Sequence, residues 1–243
     1  MGTGVEAGPC PECGSDNAAD HNYCKNCGTP LGRDDGSSLK LSFAERMRDR
    51  SLELLRTQPD SARAHFDLGL SYYHLGQTGN ATRAFERCLQ IEDAYPAAHF
   101  QLALCHYRRG AMAECAAASR RALELNPSSA PAHFRLAIAL FHQGRLDEAA
   151  GAFERTVQVD PEYVIASYHL GLIRERQKRI DDAIGCFEKV VEASPADASA
   201  HYHLGLCYGH QGLESLAISS LSKALELDPS DAAAAAALQE LQR

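Results

Sequence analysis

The stretch His201-Tyr202-His203-Leu204-Gly205 has four counterparts earlier in the chain, each 34 residues from the next. No residue is gained or lost between copies, and the copies begin at His65, His99, His133 and Ser167. A strict period of this length predicts one structural unit that stacks on copies of itself. Stacked repeats form a long concave surface, so the period also favours binding over catalysis in a closed pocket.

Certain positions carry the same type of residue in every repeat when each repeat is numbered from its first residue. The repeats span 62–95, 96–129, 130–163, 164–197 and 198–231. Position 7 is always Leu, position 8 is Gly or Ala, and position 20 is Ala or Cys. Position 15 is Gly except for Lys178, and position 32 is Pro except for Asp93. Small residues at positions 8 and 20 allow two helices to approach closely, glycine favours a left-handed turn, and proline stops a helix.

This pattern resembles the tetratricopeptide repeat, and the resemblance covers about residues 62–231. It implies an all-α, right-handed α-solenoid of five helix pairs. Residues 42–58 are predicted to form an N-terminal capping helix, before an array over 59–243. Residues 232–243 are predicted to form a C-terminal capping helix that begins after Asp231, because repeat arrays need solvated ends. The unusual Lys178 predicts a strained or differently formed turn in the fourth repeat.

Two Cys-x2-Cys pairs, separated by ten residues, lie near the N-terminus at Cys10, Cys13, Cys24 and Cys27. Four thiolates suit a tetrahedral zinc ion, and four protein ligands leave no open position, so the predicted zinc is structural. Residues 8–30 resemble a short zinc ribbon built on a β-hairpin, and 31–41 read as a flexible linker. Iron in a rubredoxin-like site is the alternative, but the segment has only Tyr23 to shield a redox centre.

The tetratricopeptide resemblance implies that positions 2, 5, 9, 12 and 13 of each first helix face a concave groove. Position 5 is aromatic and position 9 aliphatic in all five repeats. The predicted protein-binding residues are Phe66, Leu70, Tyr73, Phe100, Leu104, Tyr107, Arg108, Phe134, Ile138, Phe141, Tyr168, Leu172, Arg176, Tyr202 and Leu206. We expect an amphipathic helix or an extended peptide with acidic flanks to bind there. The alternative interpretation is that the aromatic residues only brace the helices.

Four histidines occupy position 4, and five cysteines are scattered through the repeats. Equivalent histidines of successive repeats should lie about 10 Å apart, too far to share a metal ion. They are interpreted as packing residues, and the cysteines as small core residues. No nucleophile with a base, and no phosphate-binding loop, is visible, so the chain is predicted not to be an enzyme.

A net charge of −8 disfavours general affinity for nucleic acid. The sequence also predicts no membrane span and no secretory signal, so the expected location is the cytoplasm. The combination of modules is typical of bacterial cytoplasmic proteins. We expect a non-catalytic scaffold or adaptor. The alternatives are a nucleic-acid-associated adaptor that uses the ribbon, and a regulatory subunit of a separate enzyme. The sequence does not indicate the oligomeric state.

Overall fold

The computed structural model describes residues 42–242 together with the backbone of residues 8–9 and 16–17. The first of these parts is entirely helical. Its twelve helices are α1 (Phe43–Thr57), α2 (Ala62–His74), α3 (Thr78–Ile91), α4 (Pro96–Arg108), α5 (Met112–Leu125), α6 (Ala130–His142), α7 (Leu146–Val159), α8 (Val164–Arg176), α9 (Ile180–Ala193), α10 (Ala198–His210), α11 (Glu214–Leu227) and α12 (Ala232–Leu241). The first helix of each pair therefore begins at the first residue of a repeat.

Two short strands, β1 (Gly8–Pro9) and β2 (Asp16–Asn17), pair antiparallel with Gly8 opposite Asn17. They fall in the segment for which a zinc ribbon is predicted. The four predicted zinc ligands and the linker at 31–41 lie outside the described residues. The ribbon and its metal therefore stay predictions.

The helices form two compact units, one ending at Pro127 and the other beginning at Ser128. In the first unit, each helix from α1 to α5 packs on the next one along the chain. The second unit continues in the same way from α6 to α12. Two pairs of first helices from neighbouring repeats also touch, α2 with α4 in the first unit and α8 with α10 in the second. These contacts are those of stacked helix pairs, as the repeat predicts.

Glycine at position 8 allows the two helices of a repeat to meet. A Cβ atom added at Gly69 would lie 2.5 Å from the ring of Phe85, and one at Gly171 would lie 2.8 Å from Phe187. Both rings are fully buried. The large residue at position 24 therefore fills the space that the missing side chain leaves, as the sequence pattern predicts.

The turn between the paired helices is the same in the fourth repeat as in the others. Lys178 has a φ of 58°, close to the 73° of Gly76, and it is the one non-glycine residue with positive φ in the described chain. The N–H of Arg179 donates to the carbonyl of Arg174 at 2.9 Å, as Gln77 does to Tyr72 at 2.8 Å. The sequence predicts either a strained turn or a differently formed one. The structure shows the strained turn, because Lys178 adopts the left-handed conformation and the hydrogen bond of the turn is unchanged.

The first helix and the last helix each begin with a side-chain cap at their N-terminus. At α1, the Ser42 hydroxyl accepts from the N–H of Glu45, and the Glu45 carboxylate accepts from the N–H of Ser42 at 2.8 Å. At the other end, Asp231 accepts hydrogen bonds from the N–H groups of Ala233 and Ala234 at 2.9 and 3.0 Å and so begins α12. Both caps satisfy helix N–H groups that would otherwise lack partners. No helix in the described residues is both long and apolar enough to cross a bilayer.

Candidate interaction surface

The side chains at positions 5, 9, 12 and 13 of the first helices are here called the first-helix surface. The structure places the predicted residues of this surface in three groups. Buried residues are Phe66, Leu70, Leu104 and Ile138. Partly exposed residues are Tyr73, Phe100, Tyr107, Phe134, Phe141, Tyr168, Leu172, Tyr202 and Leu206, and exposed residues are Arg108 and Arg176.

The aliphatic residues at position 9, which are predicted to face the groove, are buried in the first three repeats. Leu70 belongs to a core cluster with Phe85 and with Ala98 and Cys105 of α4. The first helix of the next repeat therefore covers it. Leu172 and Leu206, in the fourth and fifth repeats, keep part of their surface exposed. The available aliphatic surface at position 9 lies on α8 and α10.

Aromatic residues at position 5 brace the helices in at least two repeats. The Phe66 ring lies 5.7 Å from Phe85 and 5.0 Å from Tyr95. In the third repeat, Phe134 has the same two partners, with Phe153 at 5.7 Å and Tyr163 at 5.0 Å. These two tyrosines were not predicted from the sequence, although both stand at position 34 of their repeats. The bracing interpretation therefore describes Phe66 and Phe134.

Phe100 differs from these two residues. Its repeat has Ser119 at position 24 and Ser129 at position 34, so the rings that surround Phe66 and Phe134 have no counterparts. Ser129 instead caps α6, because its hydroxyl accepts from the N–H of Ala132 at 3.3 Å. Phe100 is therefore a better candidate for contact with a partner than either neighbouring phenylalanine.

Positions 12 and 13 form cation–π pairs between neighbouring repeats. The Arg108 guanidinium lies 3.6 Å from the centroid of the Tyr73 ring and donates to the Tyr73 carbonyl at 3.1 Å. Arg176 lies 5.4 Å from the centroid of Phe141 in the same arrangement. Arg108 is thus held by an internal contact, and its charge is less available to a partner than the sequence analysis expects.

Histidine at position 6 completes the packing of the last repeats, and the sequence analysis did not select it. His169 stacks on Phe153 with centroids 5.3 Å apart, and His203 stacks on Phe187 at the same distance. Burial lowers the pKa of His169, and the nearby His142 lowers it further. The sequence contained a sign of this stacking, since the repeats that precede His169 and His203 both have phenylalanine at position 24.

The histidines at position 4 are hydrogen-bond donors as well as packing residues. Nε2 of His65 lies 2.9 Å from the carbonyl oxygen of Pro59, and His201 makes the same contact with Pro195 at 3.1 Å. His99 contacts the carbonyl of Asp93 at 2.9 Å, so the bond does not require proline. A carbonyl only accepts, so Nε2 carries the hydrogen and ties the first, second and fifth repeats to the loops that precede them.

Four of the five scattered cysteines are buried in the core, as predicted, namely Cys88, Cys105, Cys115 and Cys207, whereas Cys186 is half-buried. Burial is the main cause that raises the thiol pKa of Cys88 and Cys207 to about 12, and that of Cys105 to about 11. These thiols stay protonated at neutral pH and behave as small apolar side chains. Within the described residues, no group of three or more His, Cys, Asp or Glu side chains is arranged to hold a metal ion.

The comparisons with known proteins agree with this geometry. The tetratricopeptide repeat family model matches residues 50–97, 143–196 and 170–232, which together make up more than half of the chain. The chain belongs to the tetratricopeptide repeat family and has its all-α repeat fold. Residues 74–156 also match the model for subunit 3 of the anaphase-promoting complex, or cyclosome. No curated protein sequence matches the chain.

Solved structures share the fold at low sequence identity. One is YrrB, described as a tetratricopeptide repeat protein with an unusual peptide-binding site. It is 17% identical with a TM-score of 0.73, over 79% of this chain and 99% of that one. MamA is 25% identical with a TM-score of 0.63, over 68% and 96%. Pseudomonas aeruginosa pilF is 20% identical with a TM-score of 0.61, over 80% and 84%. These likenesses establish the fold.

Proposed function

We propose that this chain is a non-catalytic scaffold that binds a peptide or a helix of a partner protein on its first-helix surface. The observation that carries the proposal is the pairing of α8 and α10 in the second unit. These two helices touch, and Tyr168, Leu172, Tyr202 and Leu206 all keep part of their surface exposed. Apolar side chains left uncovered side by side favour an interaction site.

The chemistry of this surface suits an amphipathic ligand. Aromatic and aliphatic side chains would take up the apolar face of a helix or the alternate side chains of an extended peptide. The Arg176 guanidinium lies at the edge of the surface and is exposed, so acidic residues flanking the apolar face would meet it. We propose that the scaffold works in the cytoplasm and that residues 8–30 hold one structural zinc ion as a second contact surface.

The test uses variants that shorten partly exposed apolar side chains of the first-helix surface. Phe100→Ala alters the first unit, and Leu172→Ala with Leu206→Ala alters the second. The matched control is Leu216→Ala, because Leu216 lies on α11 and is 46% exposed. Proteins that co-purify with the tagged full-length chain from its native host are compared by mass spectrometry. Their binding is then measured by calorimetry.

We expect the partner to be retained by the control and lost by the variants of the first-helix surface. Alanine at a central contact residue costs more than about 2 kcal/mol of binding free energy, which is about thirtyfold in affinity. Circular dichroism must show the same helix content in all variants. Equal binding by every variant would place the interaction on another surface and overturn the proposal.

A further inference from the structure

The second unit contains a pocket of about 590 Å³ at one end of the first-helix surface. Its lining residues come from α8, α10, the turn after α8 and the start of α9: Leu172, Glu175, Arg176, Lys178, Ile180, His203 and His210. Five of these seven side chains are titratable. The pocket is therefore chemically unlike the aromatic surface beside it.

The pocket contains a carboxylate because position 12 changes along the chain. Repeats one to three have Tyr73, Tyr107 and Phe141 there, whereas the fourth has Glu175 and the fifth has Gly209. The Glu175 carboxylate accepts a hydrogen bond from Nδ1 of His203 at 3.0 Å. Both side chains are about one fifth exposed, at 20% and 21%. The negative charge in the pocket is thus already engaged by an imidazole that is fixed by stacking on Phe187.

The positive charges of the pocket have no such partner. Arg176 and Lys178 are both exposed, and neither forms an ion pair within the described residues. The guanidinium of Arg176 is held near the Phe141 ring, which limits its movement without neutralising it. Asp181, the neighbour in sequence of the lining residue Ile180, accepts a hydrogen bond from the side-chain amide of Gln211. An anionic group could therefore bind beside Arg176 and Lys178 without displacing an internal partner.

The backbone of Lys178 gives independent support. The four equivalent turns have glycine at this position, and lysine there has a φ of 58° in the left-handed region. That conformation is unfavourable for a residue with a Cβ atom. Strain of this kind is found where function requires a particular side chain. The strained turn holds an ammonium group at the edge of the pocket.

We propose that this pocket binds a carboxylate group of the peptide partner. Arg176 and Lys178 supply the positive charge, and Leu172 and Ile180 supply an apolar wall for the carbon chain that carries it. The inference rests on the proposed function, because it names the chemistry of one ligand group on the same surface. The carboxylate has two possible sources in a peptide, an acidic side chain or the C-terminus.

Two short peptides separate these sources. Acetyl-tetraglutamate amide carries only side-chain carboxylates, and acetyl-tetraglutamine with a free C-terminus carries only the terminal one. Acetyl-tetraglutamine amide carries neither and is the blank. Each is titrated into the ¹⁵N-labelled full chain while backbone amide shifts are recorded. We expect saturable shifts confined to residues 172–180 and 203–210 with at least one of the two acidic peptides and none with the blank.

Lys178→Gly is the decisive variant, because it removes the ammonium and restores the residue that the other turns use. It leaves the fold intact, so a loss of binding would not reflect unfolding. We expect about fivefold weaker binding for Lys178→Gly and a larger loss when Arg176→Gln is added. Lys189→Gln is the control, since it removes the same charge from an exposed position on α9 outside the pocket.

The proposal is overturned if neither acidic peptide gives saturable shifts at these residues. It is also overturned if Lys178→Gly and Lys189→Gln weaken binding equally, because net charge alone would then explain the effect. Failure here differs from failure of the proposed function. If partner binding is lost on substitution of Phe100, Leu172 and Leu206 but is unchanged by Lys178→Gly, the scaffold function stands and only the carboxylate pocket is rejected.

Discussion

Replacing Lys178 by glycine should stabilise the protein. The lysine has a φ of 58°, whereas Gly76, Gly110, Gly144 and Gly212 have φ between 72° and 75° at the same position. A left-handed conformation costs a residue with a Cβ atom about 1–2 kcal/mol, and glycine avoids that cost. Glycine also lowers the free energy of unfolding by about 0.5–1 kcal/mol, because it loses more backbone entropy on folding than other residues do.

With the midpoints of these two ranges, the net gain in free energy of unfolding for Lys178→Gly is about 0.75 kcal/mol. The substitution removes no ion pair or side-chain hydrogen bond, since Lys178 is exposed and forms none in the described residues. For a chain of this size, such a gain raises Tm by about 1–4 °C. Urea unfolding followed by circular dichroism measures it, provided that the slope of the transition stays constant.

Two further variants show whether backbone strain is the cause. Gly144→Lys places the same side chain in the equivalent turn of the third repeat and should lower stability by a similar amount. Lys178→Asn should give an intermediate gain, because asparagine tolerates the left-handed region better than lysine does. A lower midpoint for Lys178→Gly, or no loss for Gly144→Lys, would refute the strain argument.

Three other predictions concern packing, thiols and metal. Gly171→Ala should lower stability by about 1 kcal/mol, because the new Cβ would lie 2.8 Å from Phe187. Gly185→Ala should raise stability by a similar amount, since a Cβ there meets nothing within 4 Å and alanine favours helix. Equal urea midpoints for the two variants would contradict this. With a thiol pKa raised to about 12 by burial, Cys207 is protonated at pH 8, so native protein should resist iodoacetamide and unfolded protein should react. Site-resolved mass spectrometry measures this, and rapid native labelling would contradict it. A chelator should release one zinc ion from residues 10–28 while helical circular dichroism persists. Loss of the helical signal together with the metal would contradict a separate module.

The 34-residue period was sufficient to predict the helix pairs. Small residues at positions 8 and 20, glycine at 15 and proline at 32 each act through local geometry. A helix that must stop, turn left-handed and pack closely on the next one needs these residues wherever it lies in the chain. The first helix of each pair accordingly begins at the first residue of a repeat.

The interaction surface was predicted less well, because exposure depends on which neighbouring side chains fill the space around a position. Leu70 and Leu172 share position 9, yet the first is buried against α4 and the second lines an open pocket. Phe66 and Phe100 share position 5, yet only Phe66 has a phenylalanine at position 24 of its repeat to pack against. Comparing position 24 with position 5 in each repeat would have separated these two phenylalanines.

The sequence by itself determined the fold, since each helix start, turn and close contact is a local property repeated in register. The tertiary structure decided which residues remain available to a partner and what chemistry they offer. The hydrogen bond between Glu175 and His203 joins residues 28 positions apart, and the contact between Arg176 and Phe141 joins two repeats. Such pairs depend on how one repeat lies against the next, and a single repeat does not contain that information.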